Sequence, residues 1–141
     1  MHTNDGYVRV RYEETDQMGV AYHGNYYTWF EVGRSSFFRS LGYTYAQLEE
    51  EGIILPVIES HCAYKIAAKY DEELVIRTSI KKLKGVRLKF SYEVVRKEDE
   101  VVLATGSTIH AFVNKTLKPI NFKKVNPKVW KILNDCVDEV K

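Results

Sequence analysis

Residues 12–26 carry the densest set of side chains able to do chemistry in this 141-residue chain. An acid, Asp16, lies near the start of the segment and a histidine, His23, near its end. Gly19 and Gly24 are predicted to allow backbone turns that other residues resist. A carboxylate can attack a carbonyl as a nucleophile or activate water as a general base. The segment therefore predicts a reactive site, while a turn or capping role for Asp16 and a packed or solvent-facing His23 are the simpler interpretations.

A helix is predicted immediately after this segment, over residues 25–41, with Asn25 as its N-cap and Gly42 just past its end. One stripe of the helix is aromatic or apolar and contains Tyr26, Trp29, Phe30, Gly33, Phe37 and Leu41. Unpaired N–H groups and the positive dipole end of a helix N-terminus favour negative charge. Asp16 and His23 would therefore stand beside a site for the oxyanion that forms when a carbonyl is attacked.

Alternating apolar residues and intervening turn residues predict strands over residues 7–12, 53–66, 74–83, 86–96 and 101–114. We expect an α+β fold in one domain, residues 1–141, with a long antiparallel sheet wrapped round one central helix and a C-terminal helix. Gly33, in the middle of the apolar stripe, predicts close approach of the helix to the element it packs on. The open sheet edge and exposed apolar surface predict dimerisation.

Two further helices have recognisable starts. Thr44 and Gln47 form a capping-box pattern that opens a short helix, which Gly52 ends. Asn126 and Pro127 have the types expected of an N-cap and a first helical residue. The terminal helix that follows carries Trp130, Leu133, Val137 and Val140 at helical spacing.

Composition narrows the function classes. A net charge of +2, from 21 basic and 19 acidic residues, is far from the excess expected of a duplex nucleic-acid binder. No apolar run is long enough for a membrane span, and the first residues do not resemble a signal peptide. Two cysteines, Cys62 and Cys136, lack metal-ligand spacing. Cys62 is predicted to lie in the core, and Cys136 either packs in the fold or lies at the surface. We therefore expect a reduced, cytoplasmic protein without a metal or cofactor.

A local basic cluster interrupts this balanced charge. It contains Lys81, Lys82, Lys84, Arg87 and Lys89. Such a cluster could contact a phosphorylated small molecule or form a solvated hairpin edge. The chain has no G-x-S-x-G, H-E-x-x-H, G-x-G-x-x-G or Walker pattern, which excludes several common catalytic and nucleotide-binding sites.

Residues 15–34 read T-D-Q-M-G-V-A-Y-H-G-N-Y-Y-T-W-F-E-V-G-R. This run resembles the opening segment of the hotdog-fold acyl-CoA thioesterases of the 4-hydroxybenzoyl-CoA thioesterase family, above all of their Tol–Pal-associated (YbgC-like) branch. Residues 69–74, 104–113 and 118–120 resemble later segments of the family. About 120 residues, from Tyr7 onward, fit this pattern.

The resemblance implies roles for particular residues. The catalytic carboxylate falls on Asp16, with His23 and Tyr12 as further catalytic positions, and the amide that polarises the thioester carbonyl falls at His23. Residues implied to bind substrate are Tyr22, Gly24, Asn25 and Tyr26, with Lys82, Lys84 and Arg87 for the CoA phosphates. It also implies an acyl site at a homodimer interface, with dimers that could pair into tetramers.

Three functions remain open at this point. The first is hydrolysis of a short- or medium-chain acyl-CoA, with an aromatic, hydroxybenzoyl-type acyl-CoA as the alternative substrate. The second is hydration or dehydration of an acyl thioester, for which Glu31 lies too close in sequence to His23 by the pattern of those enzymes. The third is a non-catalytic acyl-CoA-binding or regulatory module.

Overall fold

The structure is a computed structural model that describes residues 2–137. Within that range the chain forms five strands and four α-helices. In chain order they are β1 (Thr3–Arg9), α1 (Asn25–Ser40), α2 (Tyr45–Glu50), β2 (Val57–Tyr64), β3 (Glu73–Lys84), β4 (Arg87–Arg96), β5 (Val101–Ala111), α3 (Phe122–Val125) and α4 (Pro127–Asp135). A short 3₁₀ turn, Tyr12–Glu14, lies between β1 and α1.

The strands form one antiparallel sheet in the order β1-β3-β4-β5-β2. Strands β3, β4 and β5 make the predicted meander, with a tight turn between Lys84 and Arg87. Strands β1 and β2 are the two edges. The α+β prediction is confirmed.

Helix α1 lies across the sheet with its predicted aromatic stripe inward. Trp29, Phe30 and Phe37 are buried, and the Phe30 ring stacks on Tyr92 of β4 at 4.3 Å. A Cβ on Gly33 would stand 2.7 Å from Ile76 Cγ2, so the predicted close approach is confirmed. The outer face of α1, which includes Thr28 and Glu31, stays exposed.

Two local predictions near α1 are wrong. The first strand ends at Arg9, not at Tyr12, because Arg9 pairs with Glu73, where the neighbouring strand β3 begins. Asn25 is not the N-cap. Gly24 holds that position, and the Asn25 side chain instead donates to the Glu14 carbonyl at 2.7 Å.

The later elements are present with shorter bounds. Strand β2 begins at Val57, directly after Pro56, which has no N–H to donate to a ladder. The capping box of Thr44 and Gln47 is confirmed, and Asn126 caps α4 as predicted. The short helix α3 was not predicted. Helix α4 ends at Asp135, and Val140 lies outside the described residues.

A buried chain of polar groups, which we name the buried relay, crosses the core from α1 to the loop before β2. An Arg34 N–H donates to the Tyr92 hydroxyl at 3.1 Å, and that hydroxyl lies 2.5 Å from Thr108 Oγ1. Thr108 Oγ1 lies 2.8 Å from His110 Nε2, and His110 Nδ1 lies 3.0 Å from the Leu55 carbonyl oxygen. Each partner is satisfied when His110 is neutral and Nδ1 carries the hydrogen.

Candidate functional site at the N-terminus of helix α1

Residues 16–21, which we name the Asp16 loop, form a tight turn held by hydrogen bonds of its own backbone. The Asp16 N–H donates to the Val20 carbonyl at 2.9 Å, and the Asp16 carbonyl accepts from the Gly19 N–H at 3.0 Å. Gly19 has a φ of 79°, which glycine adopts without strain. Asp16 Oδ1 accepts from the Met18 N–H at 2.9 Å. No residue among 2–137 hydrogen-bonds to Asp16 Oδ2, so half of the carboxylate remains available.

Glu14 anchors this loop to α1. Its buried carboxylate accepts from the Arg11 N–H at 2.7 Å and from Trp29 Nε1 at 3.1 Å. Its carbonyl oxygen accepts from the Asn25 side chain at 2.7 Å and from the Tyr22 N–H at 2.8 Å. We call these contacts the Glu14 clamp. They determine where the loop that carries Asp16 lies relative to the first turn of the helix.

His23 lies just before α1. Its imidazole is exposed and lies between two tyrosine rings, 4.3 Å from Tyr22 and 6.1 Å from Tyr64. Its carbonyl oxygen accepts from the Tyr26 N–H and from the Tyr64 hydroxyl, both at 3.2 Å. The amides of His23 and Gly24 donate to no other residue within the described chain. These free N–H groups at a helix N-terminus favour a negatively charged ligand atom.

Asp16 and His23 line a single cleft of about 320 Å³ at this end of the helix. Its other walls come from the Asp16 loop, from α1, from the end of β2 and from the loop after β2. They are Met18, Val20, Ala21, Tyr26, Tyr64, Lys65, Ile66 and Ala67. The cleft therefore combines one free carboxylate oxygen, free amides nearby and largely apolar or aromatic walls.

The remaining residues predicted for this site lie around the cleft rather than in its walls. Tyr12 is exposed, with its ring 5.7 Å from that of Tyr70, so its catalytic role stays a prediction. Tyr22 is half-exposed and its ring covers Gly24. Gly24 has an ordinary helical backbone, so the predicted need for an unusual turn is wrong there. A Cβ at Gly24 would instead stand 2.8 Å from the Tyr22 ring.

The predicted basic residues form a separate groove of about 270 Å³, the basic groove, lined by Lys82, Lys84, Arg87, Lys89 and Ile109. Lys82 pairs with Lys89, and Lys84 with Arg87, across the β3–β4 hairpin. Like charges directly opposite each other on a sheet are destabilising. These four cations make no ion pair with any acid in the part of the chain that is described. The arrangement suits a phosphate-bearing ligand.

Cys62 lies on β2, two positions before Tyr64. Burial raises the pKa of the Cys62 thiol, which opposes formation of a nucleophilic thiolate. Within residues 2–137, no three His, Cys, Asp or Glu side chains gather where they could hold a metal ion. Between the same limits, no helix has both the length and the apolar character that a membrane crossing requires.

Comparison with known proteins gives this cleft a context. Residues 18–103 match the family model described as the thioesterase superfamily, abbreviated 4HBT. The chain belongs to this superfamily. The YneP protein of Bacillus subtilis is 37% identical to this thioesterase over 128 residues, which are 90% of the chain and 92% of YneP. The acyl-CoA thioesterase YbgC of Haemophilus influenzae is 34% identical over 118 residues, 83% of the chain and 86% of YbgC.

A solved structure is similar to this thioesterase in both amino-acid sequence and fold. The DHNA-CoA thioesterase from Staphylococcus aureus superposes with a TM-score of 0.88 at 36% identity, covering 96% of this chain and 90% of that one. The predicted family, its YbgC-like branch and the hotdog fold are confirmed. So is the prediction that the chain is a thioester hydrolase.

Two residues that contact the start of α1 at this candidate site were not predicted from the sequence. Glu14 lies two positions before Asp16, yet nothing in its type distinguishes it from the exposed Glu13 beside it. Tyr64 falls within the strand predicted over residues 53–66, and its type and spacing there do not mark it as a site residue. The contacts of both residues with the start of α1 depend on how the loop and β2 pack against the helix.

Proposed function

We propose that this thioesterase is a single domain, residues 1–141, that hydrolyses a short- or medium-chain acyl-CoA to the free acid and CoA. The observation that carries the proposal is the cleft that Asp16 and His23 share at the N-terminus of α1. The name of the YbgC relative supports acyl-CoA as the substrate class. Thiolates are good leaving groups, so the site needs little acid assistance. It needs an oxyanion site and an activated oxygen nucleophile.

Asp16 either is that nucleophile or activates a water molecule that is. In the first, Oδ2 attacks the thioester carbonyl carbon, the C–S bond breaks, CoA leaves as a thiolate, and water hydrolyses the resulting mixed anhydride. In the second, Asp16 takes a proton from a water that attacks the same carbon, and the proton passes to the thiolate. In both, free amides at His23 and Gly24 stabilise the oxyanion, and the His23 imidazole orients Asp16, water or substrate.

The decisive test replaces Asp16 by Asn, which keeps the acceptor for the Met18 N–H but removes the charge. We expect thiol release from acyl-CoA to fall by at least about 10²-fold, the lower end of the range for loss of a general base. The thermal midpoint should not change. Asp135→Asn, at an exposed position on α4, is the matched control and should keep full activity. Activity retained by Asp16→Asn would remove Asp16 from the mechanism, and tight acyl-CoA binding by an inactive wild type would make this a binding protein.

The two roles of Asp16 differ in where oxygen from water goes. In a single turnover in ¹⁸O water, nucleophilic attack by Asp16 followed by attack of water on the Asp16 carbonyl carbon of the mixed anhydride transfers heavy oxygen into the aspartate carboxylate. General-base catalysis transfers it only into the acid product. Mass spectrometry of the peptide that contains Asp16 distinguishes the two.

An aromatic acyl-CoA is the second candidate substrate. The observation in its favour is the 36% identity to a protein named a DHNA-CoA thioesterase, together with the tyrosine and histidine rings in the cleft. Aromatic rings pack well against such walls. A panel of aliphatic and hydroxyaryl acyl-CoAs, compared by kcat/KM, decides between the two candidates.

The basic groove is proposed to bind the phosphates of CoA, although it is distant from the cleft of its own chain. Lys89 of the groove pairs with Ile109 on β5, and Ile109 pairs with Glu59 on β2. Glu59 lies five positions before Tyr64, which lines the cleft. At about 3.3 Å per residue this separation is about 17 Å along the strands. Lys89 and Ile109 also alternate with buried residues, which puts them on the sheet face opposite α1.

A homodimer, or a tetramer of two such dimers, brings the groove of one copy to the cleft of another. Edge strand β2 favours such an assembly, because Val57 and Ile58 are exposed apolar residues on an unpaired strand. Sedimentation at several concentrations tests the assembly. Ile58→Lys, at the exposed edge, should shift it toward monomer and lower activity together.

Removing charge from the groove tests the phosphate assignment. For Lys82→Gln with Arg87→Gln we expect KM for acyl-CoA to rise about tenfold at low salt, with kcat unchanged. The same acyl group on N-acetylcysteamine, which has no phosphates, should be hydrolysed as by wild type. The control pair is Lys128→Gln with Lys131→Gln on α4. An unchanged KM for acyl-CoA would make the groove a solvated hairpin edge.

A further inference from the structure

Tyr64, the last residue of β2, connects the sheet edge to the N-terminus of α1. Its hydroxyl donates to the His23 carbonyl oxygen at 3.2 Å. The same oxygen accepts from the Tyr26 N–H, also at 3.2 Å. Two donors therefore hold one carbonyl directly before the first turn of the helix.

The aromatic neighbours of Tyr64 keep its hydroxyl in this position. Its ring stands edge-on to Tyr26 at 5.0 Å and to His23 at 6.1 Å. Tyr26 is itself buried, and its hydroxyl accepts from the Ala68 N–H at 3.3 Å. Partial burial, with the Cys62 thiol as a further cause, raises the pKa of Tyr64. The hydroxyl therefore remains protonated and able to donate at neutral pH.

The His23 carbonyl and the Gly24 N–H belong to one planar peptide unit. A donor on the carbonyl oxygen fixes the orientation of that plane, and it polarises the N–H at the other end of the unit. The Gly24 N–H has no acceptor within residues 2–137, and it lies beside the cleft that Asp16 lines.

We infer that Tyr64 is a positioning residue for the oxyanion site, because its hydroxyl orients and polarises the His23–Gly24 peptide toward the thioester carbonyl oxygen. This inference rests on the proposed function, in which hydrolysis takes place in the same cleft. Tyr64 acts here through the backbone, without itself attacking or protonating the substrate.

Tyr64→Phe tests this role, because it removes the hydroxyl and keeps the ring that packs on Tyr26. We expect kcat to fall between about threefold and tenfold, as for a single hydrogen bond that strengthens charge stabilisation. KM should stay within about twofold of wild type, since the wall of the cleft is preserved. Tyr7→Phe is the matched control: Tyr7 is half-exposed on β1 with Lys97 over its ring, and its loss should leave kcat unchanged.

A spectroscopic readout separates polarisation from a general loss of stability. A thioester labelled with ¹³C at its carbonyl is bound to Asp16→Asn and to the double variant Asp16→Asn with Tyr64→Phe. The carbonyl stretching frequency should be higher in the double variant, because a less polarised carbonyl has a stiffer bond. The same frequency in both, an unchanged kcat, or a rise in KM alone would overturn the inference.

The outcomes also separate this inference from the proposal it rests on. If Asp16→Asn is inactive while Tyr64→Phe is fully active, only the positioning role of Tyr64 fails. If Asp16→Asn remains fully active, the proposed mechanism fails whatever Tyr64→Phe does.

Discussion

Helix α1 contacts two polar regions that differ in whether their polar groups have hydrogen-bond partners within the protein. In the buried relay, Arg34, Tyr92, Thr108 and His110 are buried, and each hydrogen-bonds to the next. In the cleft at the start of the same helix, Asp16 Oδ2 and the amides of His23 and Gly24 lack partners among the described residues.

The difference separates stabilising polar groups from functional ones. Buried polar groups must find partners inside the protein, because an unsatisfied one costs about 1–3 kcal/mol. At the cleft, which is open to solvent, water can satisfy the free groups, and in the proposed function a substrate replaces that water. The relay is therefore expected to control stability, the cleft to control activity, and the Glu14 clamp to connect the two.

The largest expected effect on the relay comes from acid pH. Burial and the charge of Arg34 lower the pKa of His110 from its usual 6.5 to about 4, against the opposing hydrogen bond to Leu55. The unfolded chain therefore binds a proton more readily than the folded one between these values. The resulting stability is fully present above pH 6.5 and is lost as the pH falls toward 4, by about 3 kcal/mol.

Urea unfolding measured from pH 7 to pH 4 checks this prediction. His110→Gln should reduce the pH dependence by that amount, whereas His61→Gln, exposed on β2, should keep it. Both variants should retain kcat at pH 7 while folded. A pH dependence that survives in His110→Gln would assign it to other groups.

The Glu14 clamp should affect both regions at once. The Glu14 carboxylate accepts hydrogen bonds from Trp29 Nε1 and from the Arg11 N–H. In Glu14→Gln the side chain keeps only one acceptor oxygen, so its amide N–H group faces one of these two donors. We expect the free energy of unfolding to fall by about 2 kcal/mol and kcat to fall because the Asp16 loop is less well fixed. Glu13→Gln, at the exposed neighbouring position, is the control. Full kcat in a destabilised Glu14→Gln would make the clamp purely structural.

The smallest expected effect is at Gly33, where helix and sheet approach most closely. An Ala methyl would stand 2.5 Å from Thr78 Oγ1 and 2.7 Å from Ile76 Cγ2. Overpacking costs about 1–3 kcal/mol, and the better helix propensity of Ala returns about 1. We expect a net loss of about 1 kcal/mol in urea unfolding, with unchanged kcat. Thr28→Ala on the exposed face of α1 should be neutral, and a stabilised Gly33→Ala would mean that the sheet yields.

Several parts of the fold could be predicted because they depend on near neighbours in the chain. The α1 stripe, the capping box at Thr44 and the cap at Asn126 each depend on residues that lie three or four positions apart in the sequence. The end of β1 could not be predicted in this way. Alternation continues to Tyr12, but the strand stops where its partner β3 begins.

The candidate site divides along the same line. Asp16 and His23 could be predicted as candidate residues because an acid, a histidine and two glycines lie within a few residues of a helix start. Tyr64 and Glu14 were missed because their importance depends on what they contact: Tyr64 lies 41 positions from the carbonyl that it holds, and Glu14 lies 15 positions from Trp29.

The amino-acid sequence by itself determined the family, the order of the main elements and which segment carries the candidate site residues, because these are local patterns of residue type and spacing. Only the tertiary structure decided which polar groups end buried and paired and which remain free beside a cleft. That outcome depends on solvent access and on contacts between distant segments, and neither is encoded in local spacing.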